Sequence, residues 1–303
     1  MVSYHEFKEL VIKEMNAHIS TKYKNIKIDI EQVQKNNDII LDGIYIRKSN
    51  EDLSPILYLN DFYENYKNGI SLNHILYDIM ISMAKANNMD SYMKKHAKEH
   101  FTQPLKKNIF IEVINKEWNN ELLKNVPHKD IDGTDLTVVF RYLLSTNWDG
   151  GMSTLLIKEE MYKRLKLDMD SLYNLALKNT QRLFPVSLKK ISDVINESMG
   201  IFEVPVLNDI YVLTNEQIDN GVATMLYPGI LKQIGERLDS DFLIIPSSIH
   251  ELIIMKINGI SMDVQQVNEM ICEVNEVQVS EEERLSNHAY RYHRDTNCFT
   301  IAN

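Results

Sequence analysis

The chain of 303 residues has two cysteines, Cys272 and Cys298. That excludes a disulfide framework and a paired-thiol metal site, and it points to a reducing compartment with two incidental thiols. Long apolar runs are also missing. The longest, such as 242–246, fall far short of the roughly 20 residues that cross a bilayer. Residues 1–16 mix Glu6, Lys8, Glu9, Lys13 and Glu14 with apolar residues, a helical pattern and not a signal peptide. There is no Walker loop, no glycine-rich dinucleotide turn, no internal repeat and no low-complexity tract. Positive charge is in deficit, 33 Lys and Arg against 43 Asp and Glu, for a formal charge of −10. The resulting field opposes nucleic acid and anionic membranes, so neither is expected as a partner. With 44% hydrophobic and 25% charged residues, the composition is that of a soluble globular protein, expected in the cytoplasm.

Hydrophobic spacing predicts the elements. Phe7, Leu10, Val11 and Met15 share one face of a helix over 4–18, and Leu72, Ile75, Leu76, Ile79, Met80 and Met83 mark a second. Ile26, Ile28 and Ile30 alternate with polar residues as in a half-buried strand. Strand-like runs at 39–46 and 55–59 complete a meander, with Asp42-Gly43 as a bulge or turn. Residues 90–101 read as an exposed charged helix. Leu136, Val138, Phe140, Tyr142 and Leu144 alternate before the turn residues 147–151 and a return strand at 154–157. Helices follow near 158–166, 168–183 and 187–198. Met199-Gly200-Ile201-Phe202-Glu203-Val204-Pro205 is the candidate boundary between an N-terminal region, 1–200, and a C-terminal region, 201–303, which could pack as one body. In the latter, Thr214 and Gln217 suggest a capping box, and a helix covers 230–238. Strands at 242–246 and 251–256 flank a tight loop, a helix spans 267–274, and 289–293 forms a terminal strand. The expected class is α+β, with mixed, largely antiparallel sheets packed with amphipathic helices.

Several segments together resemble one family. They are the strand-like start 39–46, the run Ser54-Pro55-Ile56-Leu57-Tyr58-Leu59-Asn60-Asp61-Phe62-Tyr63, residues 211–256 and the tail Glu283-Arg284-Leu285-Ser286-Asn287-His288-Ala289-Tyr290. The family is the bacterial (Firmicutes) domain of unknown function 5688. The resemblance covers most of the chain and implies no known activity.

The residues themselves offer a few constellations. Asp130-Ile131-Asp132-Gly133-Thr134 looks like the first motif of haloacid-dehalogenase-type phosphatases, where one Asp attacks phosphorus and the second acts as acid and base beside Mg²⁺. Here the preceding residues 125–129 have loop composition, and the same five residues serve equally as a turn entering a strand. His96 and His100 sit four apart around Glu99, as in inverted zinc proteases, but lysines surround them and a third ligand is missing. Ser248, His250 and Glu251 share the loop after 242–246 without a nucleophile elbow, and turn hydrogen bonding explains them as well as catalysis. Asn60, Asp61 and Tyr63 form either a polar-aromatic binding edge or a helix cap with packed aromatics. Arg284, His288, Arg291, His293 and Arg294 interleave with Tyr290 and Tyr292, more consistent with a strand than with nucleic acid beside Glu281-Glu282-Glu283. No metal or cofactor is indicated. The favoured reading is a non-enzymatic interaction or regulatory module with a protein partner. The alternative is a phosphatase-like, metal-assisted hydrolase using Asp130 and Asp132.

Overall fold

The computed structural model describes residues 2–20, 26–48, 56–83, 105–146, 152–199, 209–257 and 263–303. They form two compact units, Met1–Lys35 with Ile39–Gln103, and Asn36–Asp38 with Pro104–Asn303. The class is α+β with antiparallel sheets.

In the first unit, α1 (Tyr4–Ser20) places Phe7, Val11 and Met15 at intervals of four on one buried stripe. Strands β1 (Ile26–Gln34), β2 (Ile40–Lys48) and β3 (Ile56–Tyr58) form the expected meander in the order β1-β2-β3. Helices α2 (Leu59–Lys67) and α3 (72–83) complete it. Ile28, Ile44, Leu59, Ile75 and Ile79 meet the α1 stripe in one core. Asp42-Gly43 makes no bulge, because Glu31 pairs with Gly43 in an unbroken ladder. Glycine is required there for a packing reason: a Cβ would come within 2.5 Å of Ile56 Cγ2.

The second unit contains two sheets. In the first, β6 (Leu136–Thr146) pairs along one edge with β4 (Ile109–Asn115). Its other edge is shared by β5 (His128–Asp130) and β7 (Met152–Leu156). The second sheet runs β13-β12-β10-β11-β9-β8. Its strands are β8 (Val186–Lys190), β9 (Ile210–Asn215), β10 (Phe242–Pro246), β11 (Leu252–Lys256), β12 (Tyr290–His293) and β13 (Cys298–Ile301). Six helices accompany these sheets among the described residues: α4 (Asn120–Leu123), α5 (Glu159–Leu165), α6 (Met169–Leu183), α7 (Ile191–Met199), α8 (Ile230–Leu238) and α9 (Val264–Gln278). Ile111, Val138 and Phe140 of the first sheet share one core with Leu213, Phe242, Ile244 and Tyr290 of the second. Leu243 and Ile245 point the other way, into Val267 and Ile271 of α9. Burial on both faces explains why β10 reads as an uninterrupted apolar run.

Edge management is visible in β4. Ile111 N donates to Thr180 Oγ1 (3.0 Å), and Asn179 Nδ2 donates to Ile109 O (2.8 Å). Side chains of α6 therefore occupy ladder groups that a neighbouring strand would otherwise take.

Several expectations change. The boundary near residue 200 falls inside the second unit, where β8 pairs with β9 across it. The helix near 187–198 begins at Ile191, because Val186–Lys190 is a strand paired with β9. Strand β12 is not terminal, since β13 returns alongside it. Thr214 and Gln217 form no capping box: Thr214 lies in β9, and its hydroxyl donates to His250 O (2.7 Å). The charged helix at 90–101 with His96 and His100, the turn at 147–151 and the boundary residues 200–205 lie outside the described residues.

Candidate functional site

Asn215, the last residue of β9, builds the loop that follows it. Its Oδ1 accepts from Gln217 N (3.0 Å) and Asp219 N (3.3 Å), while Nδ2 donates to Asp219 O (2.7 Å). Ile218 N closes onto Asn215 O (3.1 Å). This winding holds Ile218 at φ 54° and Asn220 at φ 50°. The left-handed region costs an ordinary residue about 1–2 kcal/mol, and a β-branched residue rarely occupies it. Ile218 is nevertheless 63% exposed, so it has no core contact to compensate. Gly221 follows, where a Cβ would lie 2.1 Å from Thr214 Oγ1 and 2.2 Å from His250 O. Only glycine lets the loops at 215–220 and 247–251 press together at that point.

The second loop is internally bonded. Ser247 Oγ donates to Glu251 Oε1 (3.3 Å), His250 N donates to Ser248 Oγ (3.0 Å), and Ile249 N donates to Glu283 O (2.8 Å). The Ser248 hydroxyl thus serves the His250 amide, and no Ser–His dyad forms. The His250 ring lies among three groups. Asn220 N donates to Nδ1 (3.2 Å), Asp219 Oδ1 stands 3.4 Å from the same nitrogen, and Glu283 Oε1 stands 3.5 Å from Nε2. Hydrogen bonding to Asp219 raises the imidazole pKa above its ordinary value, aided by the charges of Asp219 and Glu283 and opposed by burial.

Asp130 and Asp132 sit elsewhere, exposed at the β5–β6 turn. Ile131 N donates to Leu136 O (3.0 Å), and Thr134 caps the turn through its amide and hydroxyl, both donating to Ile131 O. Gly133 stands at φ 75°, and a Cβ there would meet Thr300 Cγ2 at 2.8 Å. Its carbonyl accepts from Ile301 N (2.9 Å), which ties the turn to β13. The turn that carries the phosphatase-like motif thus also ties the two sheets together, through Gly133.

The carboxylate that does most within this turn is Asp135, which sequence reasoning missed. It is 4% exposed. Its Oδ1 accepts from Tyr290 OH (2.6 Å), and its Oδ2 accepts from Asn115 Nδ2 (2.7 Å) and Ser286 Oγ (2.8 Å). Burial, then the charge of Asp135, drives the Tyr290 phenol well above its usual pKa. A signal existed: Asp135 directly precedes the apolar alternation of β6, where a turn carboxylate must follow the chain into the core.

A second polar cluster lies around Asn119. Its Nδ2 donates to Asn115 O (2.7 Å) and Asn36 Oδ1 (3.0 Å), and its Oδ1 accepts from Asn37 N (2.8 Å). Asn37 Nδ2 donates to Glu281 O and Arg284 O, and Asp38 accepts from Glu121 N and Leu122 N at the start of α4.

In the first unit, the α2 cap position is Tyr58, without a side-chain cap bond, so neither Asn60 nor Asp61 caps the helix. Asn60 Oδ1 instead accepts from Asp42 N (3.1 Å), and Asp61 is exposed. Tyr63 packs 5.2 Å from Phe7 and donates its hydroxyl to Val2 O (3.0 Å). Within the second unit the sequence candidates fall in two places, Asp130 with Asp132 at the β5–β6 turn and Ser248, His250 and Glu251 in the loop after β10, while Asn60, Asp61 and Tyr63 belong to the first unit. Among the described residues no three His, Cys, Asp or Glu side chains gather as a metal site, and no helix is long and apolar enough to cross a membrane.

No curated protein and no solved structure matches the chain. A family model described as a family of unknown function, DUF5688, matches residues 4–294, which takes in both units, and the chain belongs to that family.

Proposed function

We propose that this is a soluble, cytoplasmic bacterial protein that acts as an interaction module, binding another protein without catalysing a reaction. The observation that carries this reading is Ile218. An apolar, β-branched side chain 63% exposed at φ 54° is unfavourable in both solvation and backbone, and a rigid loop built on Asn215 keeps it there. Strain of this kind concentrates at functional sites. Glu216 precedes Ile218 and Asp219 follows it, so the complementary partner surface is an apolar pocket rimmed by basic residues. The polar candidates are engaged in holding turns: Ser248 serves an amide, Thr214 a carbonyl, and Gly133 a strand edge. The unpaired thiols of Cys272 and Cys298 suit a reducing compartment.

Ile218→Gly tests the reading, because glycine relieves the backbone while deleting the apolar contact. The variant should melt no lower than the parent. A protein retained from a lysate by the parent chain should then, once purified, bind the variant at least about tenfold more weakly, the scale of a contact residue. Equal binding by both chains would overturn the proposal. So would Mg²⁺-dependent hydrolysis of a phosphate ester that Asp130→Asn abolishes.

A further inference from the structure

We propose that His250 is a proton-operated clasp joining the loops at 215–220 and 247–251 to the turn Glu281–Glu283, and that protonation exchanges the partner of its Nδ1. The ring meets different partners on its two sides. Nδ1 faces a donor, the Asn220 amide at 3.2 Å, and an acceptor, Asp219 Oδ1 at 3.4 Å. A neutral imidazole with its proton on Nε2 can satisfy the amide and reach toward Glu283 Oε1 at 3.5 Å. An imidazolium has no lone pair, so Nδ1–H must turn from the amide to the Asp219 carboxylate. One proton therefore frees the Asn220 backbone amide, while its Nδ2 still donates to Asp219 Oδ1 (3.0 Å), and draws Asp219 and Glu283 onto opposite edges of one cation.

The surroundings favour this exchange. Asp219 and Glu283 are the charged groups acting on the ring from the two neighbouring segments. Glu251, on the histidine's own loop, is engaged by Ser247, and the Arg284 guanidinium donates to Val279 O (3.2 Å). No cation opposes the imidazolium among those contacts. The ring is half-buried, with 28% of its side chain exposed, so the proton has a path from solvent. The raised imidazole pKa fixes the sign. Stability from the closed clasp is complete below the unfolded histidine value of about 6.5 and is lost as pH rises through the folded value. The clasp is independent of the partner reading, because its test reads the ring and the loop alone.

The experiment is a proton NMR titration of the full chain, with the His250 ring assigned by its loss in His250→Gln. The His250 midpoint should lie above that of an exposed histidine and fall in Asp219→Asn and in Glu283→Gln, both changes at half-buried positions outside the apolar cores. The Asn220 amide resonance should move with the same midpoint and stay fixed in Asp219→Asn over that range. A midpoint at or below that of an exposed histidine, or an Asn220 amide indifferent to the ring's titration, would overturn the proposal.

Discussion

At the scale of single residues, one buried carboxyl group gathers distant parts of the second unit. Asp135 receives hydrogen bonds from a phenol and a hydroxyl of one segment, Tyr290 and Ser286, and from the amide of Asn115 in another. Replacing it by Asn puts an NH₂ group against donors, so at least one buried contact becomes donor to donor. Asp135→Asn should cost roughly 3 kcal/mol in chemical denaturation, whereas the exposed Asp132→Asn should stay within about 0.5 kcal/mol. Equal effects would contradict the assignment. The pair also shows why this site resisted sequence reading. Asp130, Asp132 and Asp135 follow one another in a single turn, and the one hint that separates them is that Asp135 directly precedes the alternation of β6. Ser286 and Tyr290 belong to the tail by which the family is recognised, yet their shared partner lies about 150 residues earlier and no local spacing reveals it.

Among elements, the reliable signal was periodicity. The helix over 4–18, the meander and the β6–β7 hairpin stand where alternation or a stripe of four placed them, and the β10–β11 hairpin stands where its two apolar runs placed it. Elements whose burial is irregular escaped. Strand β4 is buried on both faces and shows no alternation, and β8 is a short edge with Lys189 and Lys190 exposed. Two expectations follow here. Asn179→Ala with Thr180→Val uncovers the β4 edge, so light scattering during refolding should rise relative to the parent chain. A parent-like signal would show that α6 covers the edge by shape alone. Asp241 staples β10 to β12 by accepting from Arg291 and from Arg294 N, and these bonds hold its carboxyl below the ordinary value. Its contribution is present above the unfolded carboxylate value of about 3.9 and is lost as pH falls through the folded one. Melting curves of Asp241→Asn should therefore converge with those of the parent chain on acidification, and a constant difference would contradict the staple.

For the whole molecule, the division into units is not a simple cut along the sequence. Asn36–Asp38 belongs with residues 104–303, although the strands on either side of it belong with the first unit. A chain comprising 104–303 alone leaves Asn119, fully buried, without Asn36 and Asn37, and leaves the start of α4 without Asp38. Such a fragment should unfold at lower denaturant than the corresponding transition in the full chain, by roughly 2 kcal/mol. A peptide spanning the Asn36–Asp38 turn should restore part of the difference. An identical midpoint would show that water replaces these side chains at no cost. This arrangement was beyond the sequence, where 36–38 is a polar turn like any other.

The bond between Ile301 and Gly133 has a consequence for how the protein is made. The turn at 131–135 leaves the ribosome well before its strand-edge partner Ile301 and before the Tyr290 and Ser286 donors to Asp135, which lie about 150 residues further along the chain. During synthesis the first sheet must wait with a charged side chain at its rim and its apolar face uncovered. Closure of the second unit therefore awaits those later residues, and mutations at Asp135 or Gly133 should lower soluble yield in cells more than they lower the stability of the purified protein.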